Sequence, residues 1–175
     1  MRIGFAGLGR MGVPMARNIA AAGFDLTLWT RSGEKARALG AELGCAVADT
    51  PRALSDACDV VVTMLADDAA SRGVHEGLFA GSARRYVEMG TMSPDHILWL
   101  GAQAPESATV IDAPVSGATQ AAKEAQLLIM AGCDAATAAP LRPLFDALGK
   151  QIICLGQPGA GAVMKLAVNS LIHGI

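Results

Sequence analysis

The stretch 2-RIGFAGLGRMGVPMARNIAAAG-23 decides how this chain folds. Its first residues form a short apolar run, Ile3 to Ala6, of strand length and character. A glycine-rich turn, 7-GLGRMG-12, follows. From Met11 to Ala22 the apolar residues recur at helical spacing, and Gly23 is a natural stop. The turn is a G-x-G-x-x-G motif, common by itself but specific between a strand and a helix. Gly7 permits the tight turn, Gly9 lets backbone approach a pyrophosphate, and Gly12 lets the helix pack close to the strand. The free N–H groups at the helix start would face the phosphates. The candidate phosphate cradle is therefore Gly7, Leu8, Gly9, Arg10, Met11 and Gly12.

Outward from this unit the same alternation continues. Further strand candidates are 25-DLTLWT-30, 45-CAVA-48, 59-DVVVTML-65, 86-YVEM-89, 109-TVIDA-113, 126-QLLIMA-131 and 151-QIICL-155. Helical patterns lie between them, as in 134-DAATAAPLRPLFDALG-149, where Gly149 reads as a stop. Continuous apolar strands separated by helices predict a parallel sheet covered on both faces. The expected fold class is α/β, a Rossmann-like, doubly wound and mostly parallel sheet.

Composition limits the alternatives. The 175 residues are 52% hydrophobic and 17% charged, so the chain can bury enough surface to fold and is not disordered. Runs such as 60-VVVTMLA-66 are far short of the ~20 residues of a membrane span. Net charge is -2 with no basic cluster, which argues against nucleic acid as a partner. The four cysteines, at 45, 58, 133 and 154, form no CxxC pair and read as small buried hydrophobes of a reducing cytoplasm. The three histidines show no ligand spacing, no metal site is expected, and Asp67-Asp68 reads as a helix start.

The end of the second strand bears on the cofactor. An NAD site usually carries Asp or Glu there, whereas an NADP site favours Arg. Here the segment is 29-WTRS-32, with no carboxylate at positions 29 to 33. A carboxylate would repel a 2′-phosphate; the Arg31 guanidinium can grip it with two hydrogen bonds, with Thr30 and Ser32 as further donors. This predicts NADP in preference to NAD.

Four blocks together resemble the β-hydroxyacid dehydrogenase family, of the 3-hydroxyisobutyrate dehydrogenase and semialdehyde reductase type. They are 4-GFAGLGRMGVPMARNI-19, 62-VTML-65, 112-DAPVSGATQAAKEAQLLIMAG-132 and 159-GAGAVMKLAVN-169, in family order and spanning nearly the whole chain. The resemblance implies a dinucleotide-binding domain over residues 1–158. Residues 159–175 would begin a long interdomain helix leading to an all-helical domain absent from this sequence. The helix pattern runs to Ile175 inside an apolar stretch, which implies a fragment or a helix packed on another subunit. A dimer is expected through that helix or the further domain.

The resemblance also assigns roles. Met64 and Leu65 would run beside the cofactor, and Thr91 would contact it near the nicotinamide. Ser116, Gly117 and Ala118 would bind a substrate carboxylate; Ser116 after Pro114 also suits a helix N-cap. Lys165 would be the general acid in reduction and general base in oxidation. Asn169, one turn later on the same helix face, would hold the reacting oxygen or orient the lysine. A lysine in a helix reads by itself as a solvated cation, so its catalytic role comes from the resemblance. Local departures are Ala66, Gly90, Ala118, Ala121, Ala125 and Val168, which bear on the substrate more than on the reaction.

The expected activity is hydride transfer between NADP and a small 3-hydroxy acid or semialdehyde bearing a carboxylate. The segment alone is expected to be inactive, since one side of its site would be open to water. The alternatives are an imine reductase-like enzyme, which Lys165 disfavours, and a non-catalytic NADP-binding module.

Overall fold

The computed structural model describes residues 1–174; Ile175, the end of the expected last helix, lies outside the described residues. Strands β1 (Arg2–Ala6), β2 (Asp25–Trp29), β3 (Ala46–Val47), β4 (Val60–Thr63), β5 (Arg85–Glu88) and β6 (Thr109–Asp112) form one sheet in the order β3-β2-β1-β4-β5-β6. Every pairing in it is parallel. Helices α1 (Gly12–Ala21), α2 (Gly33–Leu43), α3 (Pro51–Ala57), α4 (Asp68–Leu78) and α5 (Pro94–Gln103) make the crossovers. This is the doubly wound order in which the strand sequence reverses once, between β1 and β4.

Alternate strand residues serve opposite faces. Val60, Val62, Val87 and Ile111 join Met15 and Ile19 of α1 and Leu39 of α2 in one buried cluster. Val61, Tyr86 and Val110 join Leu54 of α3, Leu78 of α4 and Leu100 of α5 in the other. Both faces are thus covered, which is why these strands read as unbroken apolar runs.

Beyond β6 the chain builds a second, three-stranded sheet, β7-β8-β9, from β7 (Val115–Ser116), β8 (Leu127–Ala131) and β9 (Gly149–Cys154). β7 runs antiparallel to β8, and β8 runs parallel to β9. The strand β7 is a correction. Ser116 does not cap a helix but pairs with Leu128, and α6 (Thr119–Lys123) begins after Ala118 without a side-chain cap. Two residues, Val115 and Ser116, before a glycine are too few to carry a periodicity by which to read a strand.

The expected helix over 134–149 is also corrected. It divides into α7 (Ala135–Ala138), a 3-10 turn (Ala139–Leu141) and α8 (Arg142–Asp146). Pro140 and Pro143, lacking N–H groups, deny the ladder its continuity. Gly149 opens β9 instead of ending a helix, because a Cβ there would collide with the Leu127 carbonyl oxygen. Cys58 and Cys133 are buried as expected, but Cys45 is only half-buried and Cys154 is exposed, on the partly solvated strand β9.

The last helix, α9 (Ala160–His173), is held by a buried carboxyl group. Asp112, at the end of β6 and fully buried, accepts from Gly159 N and Ala162 N, each at 2.9 Å. Gly159 adopts φ +87 to enter the helix. Gly132, at the end of β8, has no room for a Cβ against the same carboxyl, and its N–H donates to the Asp112 carbonyl oxygen at 2.7 Å. One residue therefore joins the first sheet, the second sheet and α9.

In Asp112→Asn one of the two helix N–H groups faces an amide NH2 instead of an oxygen. The expected cost is about 1–3 kcal/mol, read as a melting temperature lowered by roughly 3–10 °C. An unchanged melt would show that α9 does not depend on this cap.

Candidate functional site

At the carboxyl edge of the first sheet, where the strand order reverses, lies a cleft of about 750 Å³. Its lining comes from successive strand ends. The β1–α1 turn gives Gly7, Leu8 and Gly9; the end of β2 gives Trp29, Thr30, Arg31 and Ser32, with Lys35 of α2 beyond them. Met64, Leu65 and Ala66 follow β4, and Ala69, Ala70, Gly73 and Val74 of α4 form the opposite wall.

The glycines act here by close approach. Gly7 has φ +104, and a Cβ on it would collide with the Met64 carbonyl oxygen. A Cβ on Gly12 would collide with the Gly7 carbonyl oxygen, so α1 packs directly on the turn. Gly9 is the opposite case: nothing lies within 4 Å of where its Cβ would be. Its backbone is exposed and can be approached by a ligand. Among the described residues no side chain caps α1 and no acid occupies its first turn, so its N-terminal dipole faces the cleft unopposed.

The β2 side of the cleft is cationic. Arg31 and Lys35 are exposed and, among the described residues, form no ion pair. Ser32 stands at the N-cap of α2 with its hydroxyl uncommitted. Thr30 Oγ1 lies 3.5 Å from Leu8 N, tying the two loops loosely. Beyond Arg31 a smaller groove of about 210 Å³ carries Arg37 and Asp49. These residues fit a dinucleotide: an open backbone and helix end for the pyrophosphate, and cations where a 2′-phosphate would lie.

The other expected residues lie outside the cleft lining. Arg10 is exposed at the turn, Met11 is half-buried at the start of α1, and Gly12 is buried behind Gly7. Thr91 is exposed after β5. Ser116, Gly117 and Ala118 follow β6, with Gly117 at φ +134. Lys165 and Asn169 are both half-buried on α9. Burial holds the Lys165 ammonium below the ordinary lysine value. Val163, Met164 and Leu166, its apolar sequence neighbours, are exposed. Dinucleotide residues thus gather on β1, β2 and β4, while the expected substrate and catalytic residues stand on the β5 and β6 side of the same edge.

Three features escaped the sequence. Lys35 follows Arg31 by four residues on an adjoining helix and was findable by that spacing. Asp112 was visible only as a motif letter. The third is a buried polar cluster. Glu88, at the end of β5 and fully buried, accepts from Ser71 Oγ at 2.7 Å and from Gly90 N at 2.9 Å. His75, also fully buried, donates from Nδ1 to the Ser71 carbonyl oxygen at 2.9 Å. Burial pushes the Glu88 carboxyl up to about 7 and the His75 imidazole down to about 4. The lone Glu inside the strand pattern 86-YVEM-89 gave no sign of such partners.

These shifts have opposite consequences for stability. Glu88 is favoured neutral in the fold, so its contribution is complete below its ordinary value of 4.5 and is lost as pH rises through 7. His75 contributes fully above its ordinary 6.5 and loses its contribution as pH falls toward 4. Glu88→Gln removes only the first dependence. Its melting temperature relative to the native chain is expected to be higher at pH 8 than at pH 5. An equal difference at both pH values would mean that Glu88 ionises normally.

Comparison with known proteins places this geometry. Residues 2–156 match the family model described as the NAD binding domain of 6-phosphogluconate dehydrogenase. The chain is 35% identical over 180 residues to glyoxylate/succinic semialdehyde reductase 1 of Arabidopsis thaliana, covering 98% of this chain and 61% of that protein. It is 36% identical to 2-hydroxy-3-oxopropionate reductase of Escherichia coli (strain K12), covering 98% and 60%. Among solved structures, 3-hydroxyisobutyrate dehydrogenase of Mycobacterium tuberculosis with L-serine superposes with a TM-score of 0.91 at 30% identity, covering 98% of this chain and 60% of that one. The chain spans about three-fifths of the length of these relatives. With its phosphate-binding turn, its strand order and these matches, the chain belongs to the β-hydroxyacid dehydrogenase family, of which it forms the N-terminal, NAD(P)-binding part.

Proposed function

We propose that the protein is an NADP-dependent oxidoreductase interconverting a small 3-hydroxy acid and the corresponding semialdehyde. The observation that carries this reading is the cleft at the strand-order reversal. Its floor is the open backbone of Gly9, and its β2 side presents Arg31, Ser32 and Lys35 with no acid among the lining residues. An acid at the end of β2 would accept a ribose hydroxyl but repel a 2′-phosphate; two unpaired cations favour the phosphate. Gly7, Leu8, Gly9, Arg10, Met11 and Gly12 would hold the pyrophosphate, and Met64, Leu65 and Thr91 the path toward the reacting ring. When bound, NADP supplies the hydride acceptor or donor.

The chain's own contribution is orientation and proton handling. Reduction of an aldehyde builds negative charge on its oxygen, and the Lys165 ammonium, its proton loosened by partial burial, would donate there. In oxidation the neutral amine would take the proton back. Asn169, one turn along α9, would hold the same oxygen. Ser116 at the end of β7, with Gly117 and Ala118 in the turn that follows it, would hold the substrate carboxylate. The relatives named for succinic semialdehyde and 2-hydroxy-3-oxopropionate, both small carboxylates, support that class. The exposed Val163, Leu166, Leu171 and Ile172 on α9 support reading residues 159–175 as an interdomain or intersubunit helix, the route to an oligomer.

Two measurements test the reading. Titration with NADPH and with NADH, followed by tryptophan fluorescence because Trp29 lines the cleft, is expected to favour NADPH by tenfold or more, about 1.4 kcal/mol. Arg31→Ala and Lys35→Ala should each reduce that preference without weakening NADH; an unaltered preference would make both cations bystanders. In the full-length protein, Lys165→Ala should lower NADPH-linked turnover of small semialdehydes by roughly a hundredfold or more, the size of a general-acid contribution. Its NADPH affinity should be unchanged, and undiminished turnover would remove Lys165 from the mechanism.

A further inference from the structure

We propose that Glu88 is a positioning residue for the cofactor, its buried carboxyl holding the turn that carries Thr91 against the helical wall of the cleft. The inference rests on the reading that the cleft takes NADP and that Thr91 meets its nicotinamide half. Glu88 ends β5 in register with Thr63 of β4, at the edge where the site lies. One oxygen accepts from Gly90 N, two residues on in its own chain, and so closes the turn leading to Thr91. The other accepts from Ser71 Oγ of α4. Ser71 stands between Ala70 and Gly73, which line the cleft.

The hydrogen that Ser71 offers has its direction set by His75. The His75 Nδ1 hydrogen is committed to the Ser71 carbonyl oxygen, which leaves the hydroxyl hydrogen of Ser71 for Glu88. Gly90 is wedged in the same joint. A Cβ on it would lie 2.6 Å from the carbonyl oxygen of Leu65, itself a cleft residue, and 2.9 Å from Glu88 Oε1. One carboxyl thus links the cleft wall, the loop after β4 and the Thr91 turn. An apolar side chain would fill this volume with less desolvation, but it would hold neither the Gly90 N–H nor the Ser71 hydroxyl.

The test compares two ligands on the chain. NADPH spans both halves of the site, whereas 2′,5′-ADP occupies only the Arg31 side. Glu88→Ala is expected to weaken NADPH tenfold or more while 2′,5′-ADP stays within twofold. Glu88→Gln, whose amide can accept from Gly90 and donate to Ser71, should stay within threefold for both. Ser71→Ala, which removes one arm, should weaken NADPH three- to fivefold and leave 2′,5′-ADP unchanged. The proposal is overturned if Glu88→Ala binds NADPH normally, if both ligands weaken in parallel, or if Glu88→Gln is as weak as Glu88→Ala. If Glu88→Ala does not fold, Ser71→Ala decides, and normal NADPH binding by it overturns the proposal. Failure of the native chain to bind either ligand would instead bring down the cofactor reading, and this inference with it.

Discussion

The carboxyl group of Asp112 fastens the start of α9 to the end of β6, and the α9 half of the candidate site is seated by that joint. Both oxygens are used, one on Gly159 N and one on Ala162 N. A helix start buried without such acceptors would leave its N–H groups unpaired at considerable cost. The joint also requires glycine at 132, where the carboxyl occupies the space of a Cβ, and at 161, where a Cβ would collide with the Met130 carbonyl oxygen and crowd the carboxyl. Lys165 and Asn169 lie within the first three turns of the helix that Asp112 caps.

The other half of the site depends on backbone proximity. Gly7 and Gly12 bring β1, α1 and the Met64 loop together at contact distances no side chain tolerates. Gly9 remains open, and the α1 N-terminus carries no cap. The result is a concave edge with a positive end and exposed N–H groups, flanked by Arg31 and Lys35. Arg31, Lys35 and the start of α1, among the described residues without an ion pair or a side-chain cap, concentrate positive charge at this edge. That arrangement is sensible where an anionic ligand relieves it.

The two halves are bridged at β5. Glu88 is buried with its acceptors satisfied from α4 and from the Gly90 turn. Its neighbour His75 is buried neutral, with Nε2 lacking a hydrogen-bond partner among the described residues. Buried polar groups of this kind cost stability unless their geometry is met. They lie here between the α4 wall of the cleft and the turn that leads to Thr91.

Much of this was legible in one dimension. The central strands of the parallel sheet could be read because they are covered on both faces and so stay largely apolar, as in 60-VVV-62. The phosphate turn could be read because steric demands allow only glycine at positions 7 and 12. Arg31 could be read because charge at a strand end acts locally. Tertiary structure decided the rest. Ser116 became strand rather than cap because β8, eleven residues later, supplies its partner. The segment 134–149 broke at two prolines, and Cys154 came to the surface on a partly solvated strand. Asp112 and Glu88 acquired their roles from N–H and hydroxyl donors that other elements bring to them. Close-range sterics, patterning and local charge are written in neighbouring residues. The satisfaction of a buried acceptor depends on which distant donor the fold delivers.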